Sequence, residues 1–300
     1  MKWKRLFVVV MLLVVVGWAL DIKDKLSFSK APGPSLAVVS AVMMDADNGK
    51  WLYMSNAKEA LPPASMSKMM TEVLVLESVH SGSLSWDEPV PTSDYAAHVG
   101  GAGVGLSRGQ SATVKELFNA MAIHSANDAS VSLAEYIAGS EAEFVTRMNA
   151  KAREIGLSKD TVFANATGLT SVDLDDFATA ATDGETVMTA EDVALLARYL
   201  IEAYPEVLKI TKKSSASVVT GNGEINELKT TNEMLPGQRF GTKGNDGLKT
   251  GYTERAGYCF TGTTVVDGRR YITVVMGAST PEARFEETKK LLAYAKGDLL

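Results

Sequence analysis

Two hairpin signals near the chain ends and a long stretch of helical periodicity between them predict an α+β fold. One antiparallel sheet flanked by helices would carry an inserted helical subdomain. On the N-terminal side, Val38 to Met44 and Trp51 to Met54 are apolar and β-branched or aromatic. They flank Asp45 to Gly49, where Asn48-Gly49 favours a tight hairpin turn because both residues tolerate positive φ. On the C-terminal side, Tyr258 to Val266 and Tyr271 to Ala278 flank Asp267-Gly268, which repeats the signal. Gly247 to Tyr252 supplies a candidate strand just before them, and Glu282 to Ala295 reads as a closing helix.

Between these ends the period becomes helical. From Ser65 onward, Met66, Met69, Met70, Val73, Leu74 and Leu76 follow the i, i+3, i+4, i+7 spacing of a helix buried on one side, and the methionines read as core packing. Thr113-Val-Lys-Glu116 has the form of a capping box, which Val114, Leu117, Phe118 and Met121 continue toward a helix end near His124. Further helices are predicted over Asn127 to Ile137, Glu141 to Ile155 and Ala190 to Ala203, the last opened by Thr189 with Asp192 three residues on. Strands at both ends with helices between allow the two ends to share one sheet.

A chain of 300 residues with 46% apolar content can build one large domain or two lobes around a substantial core. Lys2, Lys4 and Arg5 precede an uninterrupted apolar run from Leu6 to Leu20, the pattern of an export signal, and Gly17-Trp18-Ala19 offers small residues for cleavage. The competing reading is a retained membrane tether through residues 6–20, although the run is shorter than the roughly 20 residues that span a bilayer comfortably. The organisation is therefore a signal peptide or anchor at 1–19, an aperiodic linker at 20–35 and a folded unit at 36–300, with its helical subdomain at roughly 60–240. Either reading places the protein outside the cytoplasm, secreted or on the outer face of the cytoplasmic membrane. Residues 1–19 hold three cations and no acid, so without them the net charge of −6 becomes −9. That balance argues against nucleic acid and against a polybasic membrane contact. Cys259 is the only cysteine, which excludes an internal disulfide and reads as a small buried residue of a strand.

Three motifs carry the chemistry: Ser65-Met-Ser-Lys68, Ser125-Ala-Asn127 and Lys249-Thr-Gly251. Ser-x-x-Lys alone is weak, because it also occurs at Ser27/Lys30 and Ser55/Lys58, but only Ser65 opens an apolar-periodic helix. There its hydroxyl lies beside orphan backbone N–H groups, with Lys68 one turn further on the same face. A lysine can take the serine proton only when it is itself neutral, which requires desolvation or a nearby cation such as Lys249. Ser125 and Asn127 fall between two predicted helices, where they could relay a proton and grip an amide, or simply cap a helix. Lys249 and Thr250 offer a cation and a hydroxyl for a carboxylate, and Gly251 permits close backbone approach.

These motifs resemble those of the serine-type D-alanyl-D-alanine carboxypeptidases, low-molecular-mass penicillin-binding proteins. The likeness extends to Pro63-Ala-Ser-Met-Ser-Lys-Met-Met-Thr71, Gly247-Leu-Lys-Thr-Gly-Tyr-Thr253 and Ala256-Gly-Tyr258, and covers roughly Leu36 to the C-terminus. It implies a β-lactamase/transpeptidase-like fold. It implies Ser65 as the acylated nucleophile, Lys68 as its base and Ser125 with Asn127 as a second catalytic element. Lys249, Thr250, Gly251 and Tyr252 would line the substrate-binding wall, with the N–H groups of Ser65 and Tyr252 as the oxyanion hole. The implied substrate is a peptidoglycan stem peptide ending in D-Ala-D-Ala, the implied inhibitors are β-lactams, and no cofactor or metal is required. Arg284 could help bind the terminal carboxylate of that peptide, but it reads more readily as a surface arginine of the last helix. Many members carry a further β-rich domain and a C-terminal anchor, whereas this chain stops soon after Ala295, so tethering would fall to the N-terminal segment or be absent.

The motifs leave a D,D-endopeptidase open, because cleft shape decides specificity. A class A β-lactamase would need a Glu-x-x-x-Asn loop; Glu185 is the only glutamate between Ser158 and Thr189 and lacks that asparagine. A β-lactam sensor would need several membrane spans for signalling, which the sequence does not supply. His80, His98 and His124 lack metal-ligand spacing and read as surface or helix-end residues. Gly100 to Gly105 reads as a flexible loop near the cleft, and Asp173 to Asp176 as a solvated loop.

Overall fold

The computed structural model describes residues 33–178, 180–219 and 225–297; the export segment read at 1–19 and the linker before residue 33 lie outside them. The chain begins with β1 (Ser40–Asp45) and β2 (Trp51–Ser55), then a 3-10 turn (Ala64–Ser67) leading into α1 (Lys68–His80). Next come β3 (Pro89–Pro91), α2 (Asp94–His98), β4 (Ser111–Thr113), α3 (Val114–Asn119) and a π-helical turn (Ala120–His124). Helices α4 (Asn127–Ala138), α5 (Glu141–Glu154), α6 (Ser171–Leu174), α7 (Ala190–Ala203) and α8 (Val207–Thr211) follow. The chain closes with β5 (Ser215–Val219), β6 (Ile225–Lys229), β7 (Asn245–Thr253), β8 (Gly257–Val266), β9 (Arg269–Ala278) and α9 (Ala283–Lys296).

Five strands form one antiparallel sheet in the order β2-β1-β9-β8-β7. The two chain ends meet where β1 pairs with β9, with Val42 opposite Val274 and Ala41 opposite Val275. Every residue of β1 is buried, because helices cover both faces of the sheet. Val42 and Met44 join the core shared with α1, α4, α5 and α7, whereas Ala41 and Met43 join Phe285, Leu291 and Leu292 of α9. A strand buried on both faces reads as a near-continuous apolar run, which is how Val38 to Met44 appears in the sequence, broken only by Ser40. Burying a side chain such as Phe285 contributes about 1.5–3 kcal/mol, so α9 is fixed to the sheet by packing.

The apolar stripe predicted for α1 understates its burial. Every residue from Lys68 to Leu76 is buried, not one face alone, because the sheet-side turn and α4, α5 and α7 surround the helix. Its polar residues Lys68, Thr71 and Glu72 therefore sit inside the protein. At α3 the capping box is present: Thr113 Oγ1 accepts from Glu116 N–H at 3.2 Å, and Glu116 Oε2 accepts from Thr113 N–H at 2.9 Å. At α7, Thr189 caps Asp192 N–H, but the Asp192 carboxylate turns to Ser158 and Thr161 instead of closing a box. The small β3–β4 and β5–β6 ladders carry no counterpart in the sequence reading: the prolines at both ends of β3 mask the first, and the Asn222-Gly223 signal between the strands of the second went unread.

Candidate active site

Ser65 lies on the 3-10 turn between β2 and α1, not on the α-helix itself, which begins at Lys68. One turn of 3-10 geometry stacks residues i and i+3 above one another, and it brings Lys68 Nζ to 2.8 Å from Ser65 Oγ. Lys68 is fully buried. Its Nζ also reaches Asn127 Oδ1 at 2.7 Å and the Thr167 carbonyl oxygen at 2.7 Å. Both of those can only accept, so Lys68 donates two protons to them. Ser65 is the one partner able to give a proton, so a neutral Lys68 would aim its lone pair at the Ser65 hydroxyl. Burial, followed by the nearby Lys249, holds the Lys68 amine well below the ordinary lysine range.

The loop at 165–168 places the Thr167 carbonyl. Asn165 Oδ1 accepts from Thr167 N–H at 3.1 Å, Thr167 Oγ1 at 2.9 Å and Gly168 N–H at 2.7 Å, while its Nδ2 donates to Leu169 O at 2.9 Å. Thr71 Oγ1 donates to Ala166 O and Glu141 Oε1 accepts from Ala166 N–H, so α1 and α5 pin the same loop. Gly168 has φ of 77°, and a Cβ there would stand 2.1 Å from Ala64 O, so only glycine lets this loop touch the Ser65 turn. None of this network is visible as a sequence motif.

Ser125 and Asn127 come from the junction of the π-helical turn and α4. The π-turn widens the helix end, and Ser125 closes it in left-handed geometry with φ of 69°. Asn127 Nδ2 donates to Gly100 O at 2.6 Å and its N–H donates to Ala102 O at 2.7 Å. One end of the Asn127 amide thus orients Lys68, a task the sequence reading did not give it. The glycine-rich loop is tethered here, contrary to the expectation of a flexible one: the Asp128 carboxylate also accepts from the N–H groups of Val104, Gly105 and Leu106.

Edge strand β7 forms the opposite wall. A Cβ on Gly251 would lie 2.7 Å from Pro63 O and 3.2 Å from Met66 N, so its absence lets the strand close on the Ser65 turn. The hydroxyls of Thr250 and Thr231 are 2.6 Å apart, and Tyr252 stacks on Tyr258 at a centroid separation of 4.3 Å. Lys249 is 1% exposed and lies behind the wall, where burial pushes its amine down to about 8. Arg284 departs from the surface reading preferred for it in the sequence. It is half-buried and faces the cleft, with Nη1 donating to Gly251 O at 3.4 Å and its guanidinium 5.5 Å from the Tyr258 ring centre.

A cleft of about 290 Å³ runs between these walls. Of the sequence-predicted residues, Ser65, Ser125, Asn127, Thr250, Gly251 and Tyr252 line it, whereas Lys68 and Lys249 are buried behind its walls. His124 also lines it, at a helix end as expected, with Nδ1 2.9 Å from Lys229 O. Glu185 is engaged elsewhere: it accepts from Ser171 N–H and Oγ–H and lies 3.8 Å from Arg255. The run Asp173 to Asp176 belongs to α6 and a 3-10 turn, with Asp173 closing a capping box on Thr170. Cys259 is fully buried in β8, where burial raises its thiol to about 11.

The sequence profile described as D-alanyl-D-alanine carboxypeptidase, peptidase S11, matches residues 27–280. D-alanyl-D-alanine carboxypeptidase DacF of Bacillus subtilis (strain 168) is 41% identical over 256 residues, covering 85% of this chain and 61% of that protein. The chain thus spans less than two thirds of the length of this curated relative. Among solved structures, a peptidoglycan synthesis regulatory factor (PBP3) from Streptococcus pneumoniae aligns with TM-score 0.82 and 38% identity over 88% of this chain and 74% of that one. Penicillin-Binding Protein D2 from Listeria monocytogenes in the ampicillin-bound form aligns with TM-score 0.71 and 38% identity over 87% of this chain and 98% of that one. The α+β fold is therefore the penicillin-binding-protein fold, and the chain belongs to the peptidase S11 family of D-alanyl-D-alanine carboxypeptidases.

Proposed function

We propose that the protein is a serine D-alanyl-D-alanine carboxypeptidase that removes the terminal D-Ala from peptidoglycan stem peptides and is blocked by β-lactams at the same serine. The observation that carries this reading is the bonding of Lys68, a buried amine held by two obligate acceptors and facing Ser65 Oγ at 2.8 Å. Ser65 Oγ attacks the carbonyl carbon of the penultimate D-Ala while its proton passes to Lys68 Nζ. The N–H groups of Ser65 and Tyr252 receive the developing oxyanion. The C–N bond then breaks, and the departing D-Ala amine takes a proton relayed from Lys68 through the Ser125 hydroxyl. Water hydrolyses the ester on Ser65, giving its proton back through Lys68 and releasing the shortened peptide.

The terminal carboxylate of the substrate would meet Thr250 and Arg284 at the cleft wall, with Lys249 adding positive field from behind. We assign this chemistry to residues 36–300, with the helical part at 60–240, and place it outside the cytoplasm, with residues 1–19 as export signal or tether. The ampicillin-bound state of the Listeria monocytogenes relative supports the β-lactam part. The test incubates the chain from Leu36 onward with a fluorescent penicillin and with a diacetylated tripeptide ending in Lys-D-Ala-D-Ala, beside a Ser65→Ala variant. A stable Ser65-dependent adduct with D-Ala release is expected. An adduct without release would reject the carboxypeptidase reading in favour of an endopeptidase or a sensor, and no adduct would reject the site.

A further inference from the structure

Glu72 is one helical turn beyond Lys68 on α1, is 1% exposed, and has no hydrogen-bond partner for either carboxylate oxygen among the described residues. A buried, unpartnered carboxylate is strongly disfavoured unless a charge compensates it. Two buried cations are at hand: Lys68 on the same helix, at the i, i+4 spacing that makes side chains neighbours, and Lys249 on β7. The other charges that reach the cluster are Asp128 from α4 and Glu141 from α5, which act on Lys68, and Arg284 from α9, which acts on Lys249. Asp128 is bonded to the N–H groups of the glycine-rich loop and Glu141 to Ala166 N–H. Glu72 is thus the buried acid whose charge reaches both lysines and whose carboxylate makes no hydrogen bond among the described residues.

We propose that Glu72 is a positioning residue that balances the charge of the two buried lysines, and so sets the pH range in which Lys68 is neutral while Lys249 keeps its proton. The proposal rests on the roles given above to Ser65 and Lys68. With Glu72 ionised and Lys68 neutral, the Lys249 cation has a buried counter-charge and the cluster is neutral overall. Without Glu72 that cation stands uncompensated, and both amines give up their protons more readily, since Glu72 raises each of them. Burial pushes the Glu72 carboxyl itself up to about 7, so it is ionised on the alkaline side of neutrality.

The test is the rate of Ser65 acylation by a fluorescent penicillin across pH in wild type, Glu72→Gln and Glu72→Asp, with melting temperature as the control for folding. In Glu72→Gln both limbs are expected to move to lower pH by about one unit, giving a roughly tenfold loss of rate on the alkaline side and a gain on the acid side. Glu72→Asp keeps the charge and should hold the limbs close to wild type. Unmoved limbs in a folded Glu72→Gln would overturn the proposal and leave Glu72 a packing residue. Should that variant not fold, NMR titration of the glutamate side-chain carboxyls in wild type decides: a Glu72 carboxyl still protonated at about pH 9 overturns it, because a neutral acid cannot balance a cation. A wild type that penicillin does not acylate would overturn the Ser65 reading instead.

Discussion

Asn127 Oδ1 accepts from Lys68 Nζ at 2.7 Å, and the other end of the same amide fixes that orientation by donating to Gly100 O at 2.6 Å. The side chain is therefore a spacer of defined polarity between the glycine-rich loop and the buried amine. Replacing it with aspartate puts an anion beside Lys68 and removes the donor to Gly100. The anion stabilises the protonated amine, so Lys68 would lose its proton only at higher pH. Asn127→Asp should lower penicillin acylation about 10²-fold near neutrality and recover part of it as pH rises. Asn127→Ala should lower acylation at every pH. Rates for the two variants over a pH series separate these outcomes, and parallel profiles would reject the polarity argument.

Acylation of the wild-type protein should be bell-shaped in pH. Lys68 must be neutral to take the Ser65 proton, so the rate rises as pH passes through its lowered range. In the proposed reaction Lys249 would support the substrate carboxylate only when charged, and burial brings its amine down to about 8, so the rate should fall above that pH. A rate that climbed steadily to about pH 10, the ordinary lysine range, would show that the charge on Lys249 plays no part in acylation.

The sheet and the longer helices were legible because turn chemistry and apolar period are local properties. Asn48-Gly49 and Asp267-Gly268 stand between apolar strand-like runs that pair as β1–β2 and β8–β9, and Ala190 to Ala203 forms the helix its pattern predicts. The side chains of the candidate site were legible as motifs for the same reason. What lay beyond reach is made by contacts distant in sequence. The Thr167 carbonyl meets Lys68 across 99 positions, and a backbone oxygen leaves no mark in the sequence. Arg284 looks like any helix-surface arginine until α9 packs on β8 and β9 and turns it toward Gly251. The burial of Lys68 and Glu72 likewise depends on what surrounds α1, which its own period does not record.

Gly251 has a steric role that one methyl group can test. A Cβ there would meet Pro63 O at 2.7 Å and Ala64 Cβ at 3.1 Å, both on the chain entering the Ser65 turn. Backbone atoms cannot yield cheaply, so Gly251→Ala should push β7 away from Ser65 and misplace the oxyanion donors. A displacement of about 1 Å in such a site is enough for a 10²-fold loss, and that is the expected fall in penicillin acylation. The β7–β8 ladder is otherwise intact, so the protein should still fold, with a melting temperature lowered by a few degrees. Wild-type acylation in Gly251→Ala would show that the wall tolerates the methyl group.

Asn165 tests whether the loop behind Lys68 matters to the chemistry or only to folding. Its side chain satisfies three donors and one acceptor of residues 167–169 inside the protein. Asn165→Ala leaves these groups without partners, at about 1–3 kcal/mol each before relaxation, so a net loss of about 3 kcal/mol is expected. The Thr167 carbonyl then has no fixed position, and Lys68 loses one of the two acceptors that aim its lone pair at Ser65. Asn165→Asp keeps the acceptor for Thr167 and Gly168 and gives up only the bond to Leu169 O. It should therefore recover more acylation than stability. Measuring melting temperature and penicillin acylation on both variants checks this: acylation that tracks stability alone would make Asn165 purely structural, whereas recovery of rate in Asn165→Asp without recovery of melting temperature would tie the Thr167 carbonyl to the reactivity of Lys68.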